Sequence, residues 1–235
     1  MHTWIQRWFA PAKRWLPRPV MNAVRSTVTA TFTPYYTSIR SGHFRSSFAM
    51  KAVDRKGRPL PWYTYPSIDF LRQQGPYTGR SVLEFGGGQS SLWWASNGAT
   101  VLVLEGDAGW AAEVQSKAGD LPITLKLVSQ DDIPAFQRDA RAVLEGRTFD
   151  IIVVDGLFRR QAAELALDYL APDGAIVCDD SEGYELFDAL KDSALRRVDF
   201  YGNAPGVVLS HCTSIWFREG CALFDNTRRP VFAWT

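Results

Sequence analysis

Three consecutive glycines with a carboxylate before and after them form the part of this chain best suited to hold a ligand. Glu84 comes two residues before Gly86–Gly88, and Glu105 follows the apolar run Thr100–Leu104. Glycine lets a ligand come close to backbone atoms because it has no Cβ. An acidic side chain at the end of the next strand can accept hydrogen bonds from a ribose diol. These residue types, in this order, indicate a site for a nucleoside-containing cofactor.

The segments around the glycines have the order needed to present them. Val82 and Leu83 begin an apolar run, and a serine start signal leads into a helix at Leu92–Ala95. A strand, a glycine turn and a helix form the βα unit that places a ligand at the carboxyl end of a sheet. The residues of this unit that we predict to bind the cofactor are Glu84, Gly86, Gly88, Ser90, Glu105 and Gly106.

Two features favour a sulfonium cofactor over a dinucleotide. Ser91 stands where the G-x-G-x-x-G pattern has its third glycine, so the helix cannot pack as closely on its strand. The carboxylate of Glu84 suits a cofactor that carries a sulfonium and an ammonium group, but it gains nothing from a pyrophosphate. The E-x-G-x-G arrangement and Glu105 resemble the first motif and the ribose-binding acid of class I S-adenosylmethionine-dependent methyltransferases.

The later part of the chain resembles the second half of the same family. Phe149–Val154 is a nearly continuous β-branched run, which is typical of a buried parallel strand. A turn is predicted at Pro172–Gly174. Further strands are predicted at Ala175–Cys178, Leu195–Tyr201 and Cys212–Glu219. The resemblance covers roughly residues 81–219. It implies an α/β, Rossmann-like open sheet, mostly parallel with an antiparallel last strand and with helices on both faces.

The resemblance also implies roles for the acidic residues at the ends of the predicted strands. Asp131 would meet the adenine amino group, with Asp132 as the neighbouring alternative. Either residue could instead cap the helix that follows. Asp155 would also lie beside the cofactor.

The segment before the first core strand often folds over the cofactor in this family. By the resemblance, Thr64 and Tyr65 are candidates for the methionine end of the cofactor, and Trp62 is a candidate for the acceptor pocket. The alternative is that the aromatic side chains of this segment simply pack against the sheet.

A hydroxyl acceptor must lose a proton during methyl transfer, and three residues are candidates for the base: Asp155, Asp180 and His211. The ordinary pKa of histidine lies near neutrality, which suits this role. Arg159 could hold a phosphate or carboxylate of the acceptor, because a guanidinium matches either in bidentate fashion. A solvated surface arginine is the alternative.

Metal binding is a second use for the same carboxylates. Asp155, Asp179 and Asp180 resemble the magnesium site of catechol O-methyltransferase-like enzymes, where the ion would hold and acidify the acceptor hydroxyl. Those enzymes have Asn where Asp180 stands, and other methyltransferases carry an acidic pair here without a metal. We therefore expect no metal, with Mg²⁺ as the alternative.

Charge divides the chain into two parts. Residues 1–53 contain eight basic residues and no acidic one, which leaves 18 of the 26 basic residues and all 25 acidic residues for the rest. We predict a basic, aromatic N-terminal extension at residues 1–60, helical or irregular, and a Rossmann-like domain at residues 61–235. The net acidic domain disfavours a nucleic acid as the partner.

A short amphipathic helix is predicted at the N-terminus, with Trp4, Ile5, Trp8 and Phe9 on one face and Gln6 and Arg7 on the other. Either residues 1–20 contact an anionic membrane surface, or their aromatic side chains pack on the domain or in an oligomer interface. No apolar run approaches the roughly 20 residues of a membrane span, and no secretory signal is present. The three cysteines show no metal-type spacing. We expect a cytoplasmic protein, with peripheral membrane association left open.

The sequence therefore predicts an S-adenosylmethionine-dependent methyltransferase that acts on the oxygen of a small-molecule or glycan acceptor. One alternative is an NAD(P)-dependent oxidoreductase, which Glu84 and the lack of a Tyr-x-x-x-Lys pair disfavour. The other alternative is a non-catalytic binding protein of the same fold. The oligomeric state is not predicted.

Overall fold

A computed structural model describes residues 17–224 of the chain, together with residues 227 and 229. Its centre is a seven-stranded sheet in the order β3-β2-β1-β4-β5-β7-β6. The strands are β1 (Ser81–Phe85), β2 (Thr100–Glu105), β3 (Ile123–Leu127), β4 (Phe149–Val154), β5 (Leu170–Cys178), β6 (Arg196–Gly202) and β7 (His211–Phe217). β7 runs antiparallel to both of its neighbours, and the other strand pairs are parallel. The predicted α/β sheet with an antiparallel last strand is confirmed.

Helices cover both faces of the sheet. They are α1 (Arg18–Pro34), α2 (His43–Ala49), α3 (Tyr65–Gln74), α4 (Gln89–Ser96), α5 (Ala108–Ala118), α6 (Ile133–Leu144), α7 (Arg159–Tyr169) and α8 (Leu186–Leu190), with a π-helical segment at Tyr35–Arg40 and a 3₁₀ turn at Ala222–Phe224. One core lies beneath α3, α4 and α5, and the other beneath α6, α7 and α8. Both faces of the sheet are therefore buried.

The inner strands alternate between these two cores. Ile151 and Val153 face one core, whereas Ile152 and Val154 face the other, and all four side chains are buried. Every position of such a strand must be apolar, which is why the sequence of β4 shows no polar alternation. The apolar run ends with the strand, at Val154, and the polar residue Asp155 follows it at the carboxyl end.

The register of the strands brings their carboxyl ends together at one edge of the sheet. Phe85 pairs with Val154, and Val154 pairs with Cys178, so the loops after β1, β4 and β5 leave the sheet side by side. Ligands of open α/β sheets bind beyond these carboxyl ends. The topology therefore gathers the loops that carry Gly86, Asp155 and Asp179.

Residues 20–50 gave no clean periodicity in the sequence, yet the structure folds most of them into α1, the π-helical segment and α2. No residue of α1 is buried, so the helix does not need the regular apolar stripe that packing against a core would require. Threonine is a weak helix former. Here Thr27 and Thr31 donate their hydroxyls to the carbonyls four residues earlier, at 2.9 and 2.8 Å.

Two boundaries differ from the prediction. β5 begins at Leu170, so the turn predicted at Pro172–Gly174 is wrong, and this stretch lies in the irregular first part of the strand. Ala52 and Leu60 belong to the core of the domain, although they fall within the predicted extension. The amphipathic helix predicted around Trp4 lies outside the described residues. Within residues 17–224, no helix is both long enough and apolar enough to cross a bilayer.

Candidate active site

The glycine loop is the tightest turn at the carboxyl edge of the sheet. Gly86 has φ +90°, and a Cβ at this position would lie 2.6 Å from Cα of Gly156 in the loop after β4. A Cβ on Gly87 would lie 2.6 Å from Cγ1 of Val103. Gly88 donates its N–H to Ser91 Oγ at 3.0 Å. The loop therefore lies flat against its neighbours and leaves its backbone open toward the cleft.

Glu84 is fully buried at the end of β1, directly beneath this loop. Ser91 donates its hydroxyl to Oε2 of Glu84, and Ser90 provides a second side-chain hydrogen bond. Burial raises the pKa of Glu84 to about 7, and the two hydroxyls oppose that rise. Among the described residues, none donates to Oε1. A buried carboxylate oxygen without a donor is costly, and a cationic ligand would satisfy it.

Glu105 lies across the cleft from Glu84, at the end of β2. Its Oε2 accepts the N–H of Gly87 at 2.9 Å, and its Oε1 accepts the N–H groups of Gly106 and Asp107 at 2.8 and 2.9 Å. These three bonds fix the carboxylate and tie the glycine loop to β2. A carboxylate has about four acceptor sites, two on each oxygen, so Oε2 can still accept one ribose hydroxyl.

A cleft with about 560 Å³ of free space, part of it open to solvent, lies between these loops. Its lining consists of Phe85, Gly86, Gly87, Leu104, Glu105, Gly106, Trp110, Val128, Gln130, Phe136, Asp155, Gly156, Leu157 and Phe158. The composition is mostly apolar and aromatic with a few polar groups, as expected of a small-molecule site. The cleft therefore contains Gly86, Glu105, Gly106 and Asp155 of the residues predicted from the sequence.

Sequence reasoning missed several of the cleft residues. Trp110 donates its indole N–H to the Gly87 carbonyl at 2.6 Å, and Gln130 packs so closely on Gly106 that a Cβ there would be 2.0 Å from its Cγ. Trp110 lies in the first turn of the helix that follows Glu105, and this position close to a predicted ligand could have indicated a place in the cleft.

Asp131 does not line the cleft. Its carboxylate accepts the hydroxyl of Ser129 at 3.1 Å in an exposed loop. Asp132 caps α6, because its side chain accepts the N–H of Ala135 at 2.7 Å. Gln130, the residue before Asp131, lines the cleft instead.

The segment before β1 lies away from the cleft. Thr64 is fully buried, and its hydroxyl bonds the Phe200 carbonyl at 3.0 Å, so this side chain fastens α3 to β6. Trp62 donates its indole N–H to the Pro205 carbonyl at 3.1 Å. Tyr65 is half-buried, and burial raises its pKa to about 12. None of these three predicted ligands belongs to the lining of the cleft.

Tyr63, which was not predicted, is the residue of this segment that approaches the site. Its ring is fully buried, and its hydroxyl accepts the indole N–H of Trp94 at 3.3 Å. Burial, and after it the charge of Glu84, raises the pKa of Tyr63 well above its usual value. The tyrosine therefore stays neutral and forms part of the wall behind Glu84.

Arg159 lies at the centre of the acidic residues that follow β4 and β5. Its Nη2 is 2.8 Å from Oδ1 of Asp155, and its Nη1 is 3.2 Å from Oδ2 of Asp180. The guanidinium also donates to the Asp179 carbonyl at 2.9 Å and stacks over the ring of Tyr184, with its Cζ 4.3 Å from the ring centroid. Arg159, which was predicted to bind the acceptor, is thus paired with carboxylates of the protein itself.

Two of the acidic residues around Arg159, Asp179 and Asp155, have raised pKa values. Asp179 is buried and accepts the Thr213 hydroxyl at 2.9 Å. Burial, with the adjacent Asp180 next, raises the pKa of Asp179 to about 6. Burial and the nearby Asp179 raise the pKa of Asp155 well above its usual value, and Arg159 opposes that rise. The cluster therefore binds protons more readily than free carboxylates do.

His211, the first residue of β7, faces this cluster. Its Nε2 is 3.9 Å from Oδ1 of Asp180 and makes no hydrogen bond to any described residue. Asp179, Asp180 and His211 can offer three ligand atoms within 4.8 Å of one another. The ligand set assembled by the structure thus includes His211, whereas Asp155 of the predicted set is paired with Arg159.

Solved structures of other proteins share the fold of this chain. No protein-family model matches the chain, and no curated protein sequence matches it. The O-methyltransferase TomG from Streptomyces achromogenes, which is involved in tomaymycin synthesis, was solved in complex with S-adenosylmethionine. It aligns at a TM-score of 0.51 and 14% identity over 77% of this chain and 88% of its own. An O-methyltransferase from Bacillus cereus in complex with S-adenosylhomocysteine aligns at 0.51 and 15% identity over 84% of this chain and 97% of its own.

The chain has the fold of these methyltransferases. At these identities the likeness concerns the path of the backbone. The assignment of chemistry therefore depends on the residues that line the cleft.

Proposed function

We propose that this protein is an S-adenosylmethionine-dependent methyltransferase that acts on an oxygen of a small-molecule or glycan acceptor. The observation that carries the proposal is the buried Glu84, whose Oε1 has no donor among the described residues and lies beneath the glycine loop. A cofactor with an ammonium group and a sulfonium would supply the missing positive charge. The shared fold of two methyltransferases, solved with the cofactor or its product, supports the same reading.

Glu84, which lies beneath the glycine loop, and the residues that line the cleft divide into groups that fit the parts of this cofactor. Glu84 would accept the ammonium group of the methionine portion. Glu105 would accept a hydroxyl of the ribose diol, and its three bonds to backbone N–H groups keep it oriented for that task. Gln130 and the rings of Phe136 and Phe158 would enclose the adenine base.

The bound cofactor would supply a methyl group that is already activated for direct displacement. The protein then has to align the acceptor, which accounts for much of the rate in such reactions. His211, whose Nε2 is buried and has no hydrogen-bond partner among the described residues, would take the proton from the acceptor hydroxyl at that atom. Asp180, 3.9 Å away, would stabilise the imidazolium that results.

Magnesium does not fit this cluster well. Asp155 and Asp180 already share the guanidinium of Arg159, and the histidine that completes the available set is not a ligand that Mg²⁺ prefers. We therefore propose that the reaction needs no Mg²⁺.

Calorimetric titration tests the proposed cofactor. S-adenosylhomocysteine should bind the purified protein, and NAD⁺ should not. Glu84→Gln keeps the size of the side chain and removes its charge, so it should weaken binding of S-adenosylmethionine by roughly tenfold or more. Glu145→Gln, on an exposed position at the end of α6, is the matched control. Binding of NAD⁺ in preference to S-adenosylhomocysteine would overturn the proposal in favour of an oxidoreductase.

A further inference from the structure

α1 is a 17-residue helix of which no residue is buried. Val20, Val24 and Phe32 are exposed to 44%, 37% and 52%. At 3.6 residues per turn these three side chains fall on one side of the helix, together with Met21 and Val28. Asn22, Ser26, Thr29, Ala30 and Thr33 lie on the other side. The helix thus has an apolar face that the described part of the chain does not cover.

This exposed apolar surface continues beyond α1. Phe48 and Met50, in and after α2, are exposed to 78% and 83%. The loop between β6 and β7 lies against α2, since Gly206 donates its N–H to Nδ1 of His43 at 3.3 Å. Val208 and Leu209 of that loop are exposed as well. Scattered apolar side chains are normal on a protein surface, but a run of them along adjoining elements indicates a contact surface.

The charge of the same segment indicates what the surface contacts. The described residues from 17 to 53 carry the basic side chains of Arg18, Arg25, Arg40, Arg45 and Lys51 and no acidic side chain. An isologous contact between two copies would place one such positive segment against the other, which costs free energy. An anionic lipid surface attracts these basic side chains, of which Lys51 also lies 3.8 Å from Glu113, and an apolar helix face can enter its headgroup region.

We propose that α1 and the exposed side chains of α2 dock this protein onto an anionic membrane surface. The apolar face of α1 lies in the plane of the interface, and the arginines at its border contact the headgroups. The loop that carries Val208 leads directly into His211, the first residue of β7. The docking does not depend on which acceptor the enzyme uses.

Sedimentation with vesicles tests the proposal on the full chain. The protein should sediment with vesicles of phosphatidylcholine and phosphatidylglycerol, and it should remain in solution with phosphatidylcholine alone. Added salt should weaken the binding, because it screens charges at the membrane surface. The double variant Val24→Asn/Phe32→Asn should reduce the partition coefficient by roughly tenfold or more, because two buried apolar contacts are lost.

The matched control introduces two asparagines on the opposite face of the helix. Ser26→Asn/Ala30→Asn alters exposed positions in α1, adds no charge and should bind vesicles as the wild type does. Titration with S-adenosylhomocysteine checks that both variants keep the cleft intact. Failure of the wild type to sediment, or equal loss in the two double variants, overturns the proposal. A dimer that the apolar-face variant dissociates, without vesicle binding by the wild type, would instead assign the surface to a second copy.

Discussion

Arg159 and Asp155 form an ion pair, 2.8 Å between Nη2 and Oδ1, in which both side chains are largely withdrawn from water. Their side chains are exposed to only 12% and 18%. The same guanidinium reaches Asp180, so one cation joins the loop after β4 to the loop after β5. Because the neighbouring carboxylates would otherwise repel one another, this cation is expected to hold the acceptor side of the cleft in shape.

Replacement of Arg159 should therefore destabilise the fold. Arg159→Gln leaves Asp155 and Asp180 without their cation, and we expect a loss of about 2–4 kcal/mol in the free energy of unfolding. Arg160→Gln is the matched control, because its ion pairs with Glu164 and Glu185 are exposed to solvent and should contribute little to stability. Urea denaturation measures both variants. Equal losses in the free energy of unfolding would show that the buried ion pair stabilises the fold no more than the exposed ones do.

The buried Glu84 should make stability depend on pH. Its pKa is raised from the ordinary value of about 4.5 to about 7 in the folded protein, so the folded state binds the proton more tightly than the unfolded chain does. The stability linked to this proton is present below about pH 4.5 and is lost as the pH rises through 7, by up to about 3 kcal/mol.

Glu84→Gln removes this dependence. The variant should lose less stability than the wild type between about pH 4.5 and pH 7, as measured by urea denaturation across the range. Asp179, whose raised pKa acts in the same direction, is present in both proteins and does not affect the difference. Parallel pH profiles of wild type and variant would contradict the buried position of Glu84.

His211 should be required for turnover more than for binding. His211→Asn should lower kcat with the best acceptor by roughly a hundredfold, because the general base is lost. The KM for that acceptor should change little. Calorimetry with S-adenosylhomocysteine confirms that the cleft is unaffected. An unchanged kcat would exclude His211 as the base.

Chelation should leave the reaction unaffected. Asp155 and Asp180 already share the guanidinium of Arg159, so treatment with EDTA followed by dialysis should preserve activity. Added Mg²⁺ should change the rate less than about twofold. Loss of activity in EDTA with recovery in a divalent cation would show that the metal displaces Arg159 from Asp180.

The elements that the sequence predicted well are those encoded within one short stretch. The glycine loop, Glu84 and Glu105 belong to a single βαβ unit, so their spacing alone brings them to the same edge of the sheet. β4 could be predicted because burial on both faces leaves only apolar residues in it. The antiparallel strand β7 followed from the resemblance and is confirmed.

The residues that the sequence placed incorrectly depend on contacts between distant parts of the chain. Thr64 was expected at the cofactor, but its hydroxyl is used by the Phe200 carbonyl of β6. Arg159 was expected to hold an acceptor, but the adjacency of β4 and β5 surrounds it with carboxylates. Gln130 reaches the cleft through its packing on Gly106, which no local pattern encodes. Strand adjacency, rather than residue type, decides each of these cases.

The contact between Gly86 and Gly156 limits how this site could be re-engineered. Each residue takes up the space that a methyl group on the other would need, so alanine at either position should push the ends of β1 and β4 apart. If variants of the protein were selected for a cofactor of altered shape, Gly86 and Gly156 should therefore stay unchanged. We expect such a selection to vary Trp110, Gln130 and Phe158 instead, because these side chains extend from the surrounding loops and helices into the cleft.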